Sequence, residues 1–576
     1  MDKELALKEI LEKTLSDLGL NVSIKLEKPA DEKFGDLSSN LAMAAYEQVK
    51  DEFNSPRDFA LSLVQKIKAN DSDKIIEEIS VAGPGFINFK LNDSYLLEKL
   101  KRIIQDKDLE LKNLGQGKKA IVEYSSPNIA KPFTIGHLRS TIIGDSVANL
   151  LESSGYEVFR DNHLGDWGTQ FGKQIVAIKK WGNEEEIARS ENPVEKLVAL
   201  YVKFHEEAEK NPELEDEARA WFKKLENGDE EARALWQKCI DWSFIEFAKI
   251  YQALGVSFTE NNGRGYGESF FEDMLQPLIE ELKKQGIAKE GEEGAVLIFY
   301  PNDELSPLMI AKKDGSTLYA TRDLATDKWR RENPLYQNID GSAPLVINEV
   351  GGEQAFYFRQ LYRAEELLGW YEKDQRVHVK HGLYRFKEGK MSTRKGNVIW
   401  LEEVLNKAKE KAMTFTKDET VAETVSIAAL KWNDLKRKSE ININFDWEEI
   451  INLQGNSGPY MLYAYARAKS ILRKAKENEI EEKEVADFEI SPLEKSLLSS
   501  LDEFSKVVAR SASEFSPHYL CTYLFDLAQL FNSFYNKYPI LSSSLERQFR
   551  LQLVEAVSIT LSKGLALLGI KTLEKM

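Results

Sequence analysis

"IVEYSSPNIAKPFTIGHLRSTIIGDS", residues 121–146, runs from an apolar stretch through a polar loop into a second apolar stretch. The first four residues have strand character, and the apolar positions after the loop recur at helical spacing until Gly155 ends the helix. Residues 158–160, Val-Phe-Arg, then begin another strand. This order predicts a βαβ unit and therefore an α/β fold with a parallel sheet.

The alternation of strands and helices continues to about residue 410. Apolar strands are predicted at AVLIFYP (295–301), LVINEV (345–350) and VHVKHGL (377–383), after an acidic helical insertion at about 175–290. The first hundred residues read as a smaller α/β unit, with a helix from about Ser38 and a strand–turn–strand over 76–91. From about 411 the chain is predicted to be helical. We therefore expect domains at 1–110, 111–410 and 455–576, with a helical connector at 411–454.

Composition limits the class of protein. The chain has 576 residues, too many for one core, and no apolar run long enough to cross a membrane. Its first twenty residues lack the apolar block of a secretory signal, and its two cysteines predict neither a disulfide framework nor a structural zinc site. We expect a cytoplasmic protein. The net charge of −17 argues against a nucleic-acid partner, but residues 455–576 hold 15 basic and 15 acidic residues, so a local basic face is not excluded.

The loop at 125–137 has the features of an anion site. A helix N-terminus presents unpaired N–H groups and a partial positive charge, which favour a phosphate. Gly136 allows close approach, while His137 and Lys131 can donate to phosphate oxygens. The alternative is an ordinary strand-to-helix turn with a surface histidine and lysine. Neither a Walker loop nor a correctly spaced G-x-G-x-x-G occurs in the sequence.

A second basic segment is FKEGKMSTRKGNVIWLEEV, residues 386–404. It places Lys387, Lys390, Arg394 and Lys395 in a short loop before a helix. Like charges repel, so such a cluster either faces an anion or is a solvated turn. A basic loop of this kind can neutralise the charge that develops on a leaving pyrophosphate.

Together these segments resemble a known family. TIGH (134–137) and KMSTR (390–394) are similar to the two signatures of class I aminoacyl-tRNA synthetases. SSPNIAKPFTIGHLRSTIIGD, DNHLGDWGTQFGK (161–173), LYATRD (318–323) and GNSGPYMLYAYARA (455–468) resemble arginyl-tRNA synthetases in particular. FGDLSSNLA, VAGPGFINFKL and the C-terminal LGIKTLEKM extend the resemblance over essentially the whole chain. It implies a Rossmann-type catalytic domain, a small α/β N-terminal domain and an all-α anticodon-binding domain.

The resemblance implies ATP and Mg²⁺ as its companion ion, and it assigns roles to the two signatures. The catalytic residues would be His137, Lys131, Lys390, Arg394 and Lys395. The ATP-binding residues would be Pro127, Asn128, Thr134, Ile135, Gly136, His137, Met391 and Ser392. Two positions depart from the class pattern: Thr134 stands in place of the first histidine, and Thr393 in place of the second lysine.

L-Arginine as substrate makes a chemical demand on the pocket. A guanidinium is always charged and presents a planar fork of donors, so it requires carboxylates. Tyr319 and Asp323 are four apart and share a face if helical. The resemblance implies an arginine-binding set of Glu123, Asn128, His163, Glu268, Tyr319, Asp323 and Gln354. Without the resemblance, Glu268 and Asp323 would be interpreted as surface acids or helix caps, and His163 as a core residue.

The C-terminal helices combine aromatic and basic side chains, which suit the stacking of unpaired anticodon bases. Many aromatics at helical spacing are simply core residues. The resemblance implies tRNA(Arg) as partner, an N-terminal domain at the tRNA elbow and a monomer; we expect no DNA or membrane partner. The tRNA-binding candidates are Tyr460, Tyr463, Arg467, Arg473, Asn532 and Tyr535. Two alternatives stay open: a class I ligase for another amino acid, and a catalytically silent tRNA-binding relative, which Thr134 would explain.

Overall fold

A computed structural model describes residues 3–29, 31, 34–72, 74–107, 109, 111–291, 293–385, 399–452, 455–478, 490–543 and 546–576. The helices in this part of the chain are α1 Lys3–Asp17, α2 Leu41–Ala45, α3 Pro56–Asn70, α4 Asp93–Asp106, α5 Ile135–Ser153, α6 Gln170–Trp181, α7 Glu184–Arg189, α8 Pro193–Lys210, α9 Glu213–Glu226, α10 Glu230–Leu254, α11 Glu272–Lys284, α12 Tyr319–Glu332, α13 Ala355–Leu367, α14 Leu401–Ala412, α15 Glu419–Leu435, α16 Trp447–Ile450, α17 Gly458–Glu477, α18 Pro492–Asp502, α19 Phe504–Ser513, α20 His518–Lys537 and α21 Arg547–Leu567. The strands are β1 Leu37–Ser39, β2 Ile76–Ala82, β3 Phe86–Leu91, β4 Lys119–Glu123, β5 Glu157–Asp161, β6 Ala288–Glu290, β7 Val296–Ile298, β8 Leu308–Ala311, β9 Leu345–Gly351, β10 Arg376–His381, β11 Tyr384–Arg385 and β12 Ile443–Asn444.

The described residues divide into two compact units. One unit comprises residues 1–109, 471–504 and 529–560, and the other comprises 110–470, 505–528 and 561–576. Among the described helices, none combines the length and apolar character needed to cross a bilayer.

A four-stranded parallel sheet, ordered β10-β9-β4-β5, lies at the centre of the larger unit. Glu123 at the end of β4 lies opposite Asp161 on β5 and Asn348 on β9. The carboxyl ends of these strands therefore meet at one edge, where ligands bind in open α/β sheets. Helix α5 returns from β4 to β5 as the predicted crossover, which confirms the α/β class.

Helix α5 packs unusually close to the end of β4. Gly144 makes this possible, because a Cβ there would lie 2.2 Å from the Tyr124 Cβ. The helix also buries its apolar residues Leu138, Ile142 and Val147. This contact holds the helix N-terminus at the sheet edge.

One predicted strand belongs to a different sheet. The apolar run 295–301 contains β7, which pairs antiparallel with β6 and β8 rather than joining the parallel sheet. Its side chains pack with α11, α12 and α13 around Phe271, Leu324 and Phe358. The prediction that this run is a further strand of the alternating parallel sheet was wrong, because apolar content does not specify the pairing partner. LVINEV and VHVKHGL do form the parallel strands β9 and β10.

The N-terminal residues form a three-stranded antiparallel sheet, β1-β3-β2, covered by α1 and α3. The predicted strand–turn–strand over 76–91 is confirmed as β2 and β3. The helix predicted from about Ser38 was wrong at its start: Leu37–Ser39 is a strand paired with β3, and α2 begins at Leu41. Within the described residues, the helical prediction from about residue 411 is confirmed by α15–α21, except for the short strand β12.

Candidate active site

The loop between β4 and α5, residues 124–134, is held in a strained conformation. Ser125, Ser126 and Ala130 all have positive φ, at 73°, 44° and 57°. Their backbone N–H groups are each bound by a side chain from elsewhere: Ser125 by Ser140 Oγ at 2.9 Å, Ser126 by Asn162 Oδ1 at 3.0 Å, and Ala130 by Ser243 Oγ at 3.0 Å. Left-handed non-glycine residues persist only where the surrounding structure determines them, and they cluster at functional sites.

His137 lies in the first turn of α5, and its protonation state is determined by its contacts. The backbone N–H of Thr134 donates to His137 Nδ1 at 3.0 Å. Because Nδ1 accepts, the proton of the neutral imidazole lies on Nε2, which is left as a donor. Burial, with a smaller contribution from nearby His381 and Lys131, lowers the pKa of His137 to about 4. His137 is therefore a neutral donor at physiological pH.

Gly136 is exposed. Among the described residues, a Cβ at this position would meet only Thr134 Oγ1, at 3.3 Å, which is a tight contact. Two of the neighbouring candidates for ATP binding, Pro127 and Ile135, are buried. The Pro127 carbonyl accepts from the Gly165 N–H, and the Ile135 N–H donates to the Ile399 carbonyl. Asn128 is exposed, and its Oδ1 would lie 2.5 Å from a Cβ built on Gly165. Gly165 thus leaves room for the Asn128 side chain.

Residues 386–398 lie outside the described part of the chain. The predictions for Lys390, Met391, Ser392, Arg394 and Lys395 therefore stay predictions. The residues that follow this segment pair directly with the start of α5. Trp400 forms a β-bridge with Thr134, the Ile135 N–H donates to the Ile399 carbonyl at 3.2 Å, and the Leu401 N–H donates to the Phe133 carbonyl at 2.9 Å.

His163 lies among three of the predicted arginine-binding acids. Its Nε2 is 4.0 Å from Asp323 Oδ1, and its Nδ1 donates to the Tyr266 carbonyl at 3.0 Å. Burial by itself would lower the pKa of His163, but Glu123 and Asp323, and to a smaller extent Glu268, raise it overall. We name the group of His163, Glu268 and Asp323 the acidic pocket.

The acids of this pocket are partly neutralised by burial. Burial raises the pKa of Asp323 to about 7, against the opposing effects of His163 and of the Tyr357 hydroxyl that donates to Oδ2. Burial likewise raises the pKa of Glu268, which His163, Arg322 and Lys131 oppose. A buried acid with a raised pKa gains stability when a cation arrives, so the pocket suits a positively charged ligand.

Tyr319 and Asp323 share one face of α12, as predicted from their spacing. Tyr319 is 61% exposed, and its ring meets that of Tyr357 edge-on at 5.1 Å. Tyr357 therefore links both residues. Gln354 is exposed in the 3₁₀ turn Gly352–Gln354 between β9 and α13, at the same edge of the sheet.

Glu123 has a partner that the sequence did not indicate. Its Oε2 accepts from Arg330 at 2.6 Å, and its Oε1 accepts from Asn348 Nδ2 at 3.0 Å. Arg330 also donates to Asp161 at 2.7 Å and Asp327 at 3.2 Å. Burial alone would raise the pKa of Glu123, but Arg330 holds it down at about 2. Glu123 is therefore an ionised carboxylate beneath the acidic pocket.

His381 is a further residue that sequence reasoning missed. It ends β10, its Nδ1 donates to the buried carboxylate of Glu349 at 2.9 Å, and it influences the pKa of His137. Burial opposes its protonation, but Glu349 outweighs burial and raises the pKa of His381. Its place in VHVKHGL, at the carboxyl end of a predicted parallel strand, was the available signal.

The candidate tRNA-binding residues lie on α17 and α20. In the larger unit, Tyr463 is 46% exposed with Arg467 stacked 4.8 Å above its ring, and Tyr460 packs against Phe525. In the other unit, Arg473 and Asn532 are half-buried and Tyr535 is 41% exposed. Two neighbouring aromatics, Tyr465 and Phe531, are buried core residues.

Comparison with known proteins identifies the class. The family model described as "tRNA synthetases class I (R), catalytic domain" matches residues 99–447, and two further models, "DALR anticodon binding domain" and "Arginyl tRNA synthetase N terminal domain", match residues 461–576 and 5–91. The parallel sheet and its α5 corner are thus those of a class I tRNA synthetase.

Individual relatives show to which family within this class the chain belongs. The arginine–tRNA ligase of Exiguobacterium sibiricum is 40% identical over 561 residues, covering 96% of this chain and 95% of the relative. That of Fusobacterium nucleatum is 38% identical over 585 residues, covering 99% of each. The Thermus thermophilus arginyl-tRNA synthetase structure aligns with a TM-score of 0.76 at 25% identity, over 99% of both chains. This chain belongs to the arginyl-tRNA synthetase family.

Proposed function

We propose that this chain is an arginine–tRNA ligase, which joins L-arginine to AMP and transfers it to the 3′-terminal adenosine of tRNA(Arg). The observation that carries the choice of amino acid is the acidic pocket, where half-buried Asp323 and Glu268 lie near His163. Lys131 influences the pKa of both Glu268 and His137, so the pocket adjoins the corner at the start of α5.

The first step needs no protein nucleophile. A carboxylate oxygen of arginine attacks the α-phosphorus of ATP, the bond to the bridging oxygen of the β-phosphate breaks, and pyrophosphate leaves with the electron pair. In the second step a ribose hydroxyl of the terminal adenosine attacks the arginyl carbonyl carbon, its proton is released, and AMP leaves. Catalysis then consists of positioning the reactants and stabilising charge.

His137, Lys131 and Gly136 would hold ATP at the start of α5. The neutral His137 donates through Nε2 to a phosphate oxygen, and Gly136 leaves space for the nucleotide. Pro127, Asn128, Thr134 and Ile135 shape this corner. We assign Lys390, Arg394 and Lys395, with Met391 and Ser392, to the departing pyrophosphate, on the basis of the KMSTR resemblance. Mg²⁺ would enter with ATP, as part of the substrate.

The guanidinium of arginine would bind Asp323 and Glu268, with Tyr319 beside it. A charged hydrogen bond from a planar fork of donors to a carboxylate is strong in a buried site. Asn128 and Gln354 would hold the α-amino and carboxylate ends. Glu123, whose oxygens already accept from Arg330 and Asn348, supplies negative charge beneath the α-amino group.

We assign tRNA binding to Tyr460, Tyr463, Arg467, Arg473, Asn532 and Tyr535. The exposed rings of Tyr463 and Tyr535 can stack on unpaired bases. We further propose the domain boundaries 1–110, 111–410, 411–454 and 455–576, contact of the first domain with the tRNA elbow, and a monomeric, cytoplasmic enzyme.

The test is charging of purified tRNA(Arg) with each of the twenty amino acids, together with ATP–pyrophosphate exchange with and without tRNA. Of the twenty amino acids, we expect only arginine to be charged onto the tRNA. Charging with a different amino acid would support the first alternative, a ligase of other specificity. Binding of tRNA without exchange or charging would support the second, a silent relative.

A further inference from the structure

Tyr357 contacts two of the predicted arginine-binding residues, although it does not belong to that predicted set. Its hydroxyl donates to Asp323 Oδ2, and its ring meets the Tyr319 ring edge-on, with the ring centres 5.1 Å apart. Both partners lie on α12, whereas Tyr357 lies in the first turn of α13. Tyr357 therefore joins the two helices at the face of α12 that carries both side chains.

The Tyr357 side chain is itself held in place by packing. It is half-buried and packs against the apolar cluster that contains Phe271, Leu324 and Phe358. Burial, together with the neighbouring Asp323 carboxylate, raises the pKa of the Tyr357 hydroxyl, which therefore keeps its proton at physiological pH. A donor that is fixed in this way orients the group that accepts from it.

The two oxygens of the Asp323 carboxylate have different surroundings. Oδ2 accepts from Tyr357, which is the only hydrogen-bond donor to this carboxylate among the described residues. Oδ1 lies 4.0 Å from His163 Nε2, which is too far for a hydrogen bond. The side chain of Asp323 is 25% exposed, so a ligand can reach it. Oδ1 is thus the oxygen that remains to accept from an incoming cation.

We propose that Tyr357 is a positioning residue of the arginine site, which holds Asp323 by Oδ2 so that Oδ1 accepts an N–H of the guanidinium. This inference rests on the proposed function, because it takes arginine as the ligand of Asp323. A hydrogen bond to an ionised carboxylate also favours the ionised form. Tyr357 therefore contributes both to the orientation of Asp323 and to the fraction of Asp323 that is charged at neutral pH.

The pH dependence of arginine binding separates this role from a purely structural one. Burial raises the pKa of Asp323 to about 7, and the Tyr357 hydroxyl opposes that rise. Without the hydroxyl the pKa of Asp323 should be higher, so more of the carboxylate is protonated at neutral pH, whereas at alkaline pH it is ionised with or without Tyr357. The other charged groups around Asp323 are the same in both cases: His163 after β5, Glu123 on β4, Glu268 before α11, Asp327 on α12 and Glu365 on α13.

Steady-state charging of tRNA(Arg) by Tyr357→Phe, which removes the hydroxyl and keeps the ring beside Tyr319, tests the proposal. At pH 7 the KM for arginine should rise about tenfold, the scale for a lost hydrogen bond to a charged group, while the KM for ATP should not change. From about pH 7 to about pH 9 the ratio of the variant KM to the parent KM should decrease, because Asp323 becomes ionised in both proteins. Tyr300→Phe is the matched control and should behave like the parent chain, since it removes a buried hydroxyl that donates to the Gln360 carbonyl at 2.6 Å in the same apolar cluster.

A double variant shows whether Tyr357 acts through Asp323. In Asp323→Asn the charge is already absent, so the addition of Tyr357→Phe should change the arginine KM by no more than about threefold. Thermal unfolding shows whether each variant is folded.

Three results would overturn the proposal while the parent chain still charges arginine. They are an unchanged arginine KM in Tyr357→Phe, a KM ratio that is the same at every pH, and single effects that multiply in the double variant. Charging of a different amino acid by the parent chain would instead reject the proposed function, and this inference with it.

Discussion

His163 Nε2 lies 4.0 Å from Asp323 Oδ1, while the opposite ring nitrogen donates to the Tyr266 carbonyl. The carbonyl can only accept, so Nδ1 keeps its proton and Nε2 is the titrating atom. Without a substrate, a protonated His163 balances part of the negative charge of the surrounding carboxylates. A bound guanidinium would supply the same charge, so His163 and arginine compete electrostatically for the same acids.

The first prediction concerns Asp323. Asp323→Asn keeps the shape of the side chain but removes the charge, and it should raise the KM for arginine by about 10²-fold, as expected for loss of a buried charged partner. Steady-state charging measures this. Glu332→Gln, on the exposed end of the same helix, is the matched control. An arginine KM unchanged in Asp323→Asn would remove this residue from the pocket.

The second prediction is a pH dependence of arginine affinity. The pKa of Asp323 is about 7, so the fraction of ionised carboxylate grows as the pH rises through neutrality. Loss of the His163 proton acts in the same direction, because the imidazolium repels the guanidinium. Below pH 7 the arginine Kd should therefore decrease by up to about tenfold for each unit by which the pH rises. In Asp323→Asn this slope should flatten; a slope as steep as in the parent chain would point to another group.

The third prediction concerns two glycines of α5. Gly144 allows close packing against Tyr124, whereas Gly136 would leave space for the nucleotide. Gly136→Ala should leave the free energy of unfolding unchanged or raise it by up to about 1 kcal/mol, because a helical glycine is replaced and, among the described residues, the new Cβ meets only the Thr134 hydroxyl, at 3.3 Å. The same change should raise the KM for ATP by roughly tenfold if the nucleotide approaches this backbone.

Gly144→Ala is the opposite case and serves as its control. A Cβ there would lie 2.2 Å from Tyr124 Cβ, so the protein should lose about 1–3 kcal/mol of stability. Chemical denaturation and ATP titration of both variants distinguish the two effects. An ATP KM unaffected by Gly136→Ala would place the nucleotide elsewhere.

The fourth prediction concerns His137 and Thr134. His137→Ala should lower turnover by ~10²-fold or more, the scale for one lost transition-state donor. Thr134→His should retain activity, because the shorter contact to His137 Nδ1 comes from the Thr134 backbone N–H at 3.0 Å, against 3.2 Å for Thr134 Oγ1. Since the pKa of His137 is about 4, its protonation should not affect turnover between pH 6 and 8. Near-normal turnover in His137→Ala would contradict the assignment.

Much of the site was predictable because its signals are local. The β4–α5 corner and the shared face of Tyr319 and Asp323 follow motifs of a few residues, whereas the placement of His163 beside carboxylates was implied only by the family resemblance. Tyr357, which donates to Asp323, and His381, which pairs with Glu349, were not predicted. No local pattern reveals the partner of a tyrosine in a helix, and the place of His381 at the end of a strand indicates the sheet edge but not its pairing with Glu349.

The sequence by itself determined most of the segments that are strands or helices, since hydrophobic periodicity and glycine placement act over a few neighbouring residues. Only the tertiary structure decided which strands pair, as the antiparallel β7 shows, and which charges are neutralised. Arg330 meets Glu123 from 207 positions away. Ion pairing and desolvation depend on distance and burial in space, and neither can be read from spacing along the chain.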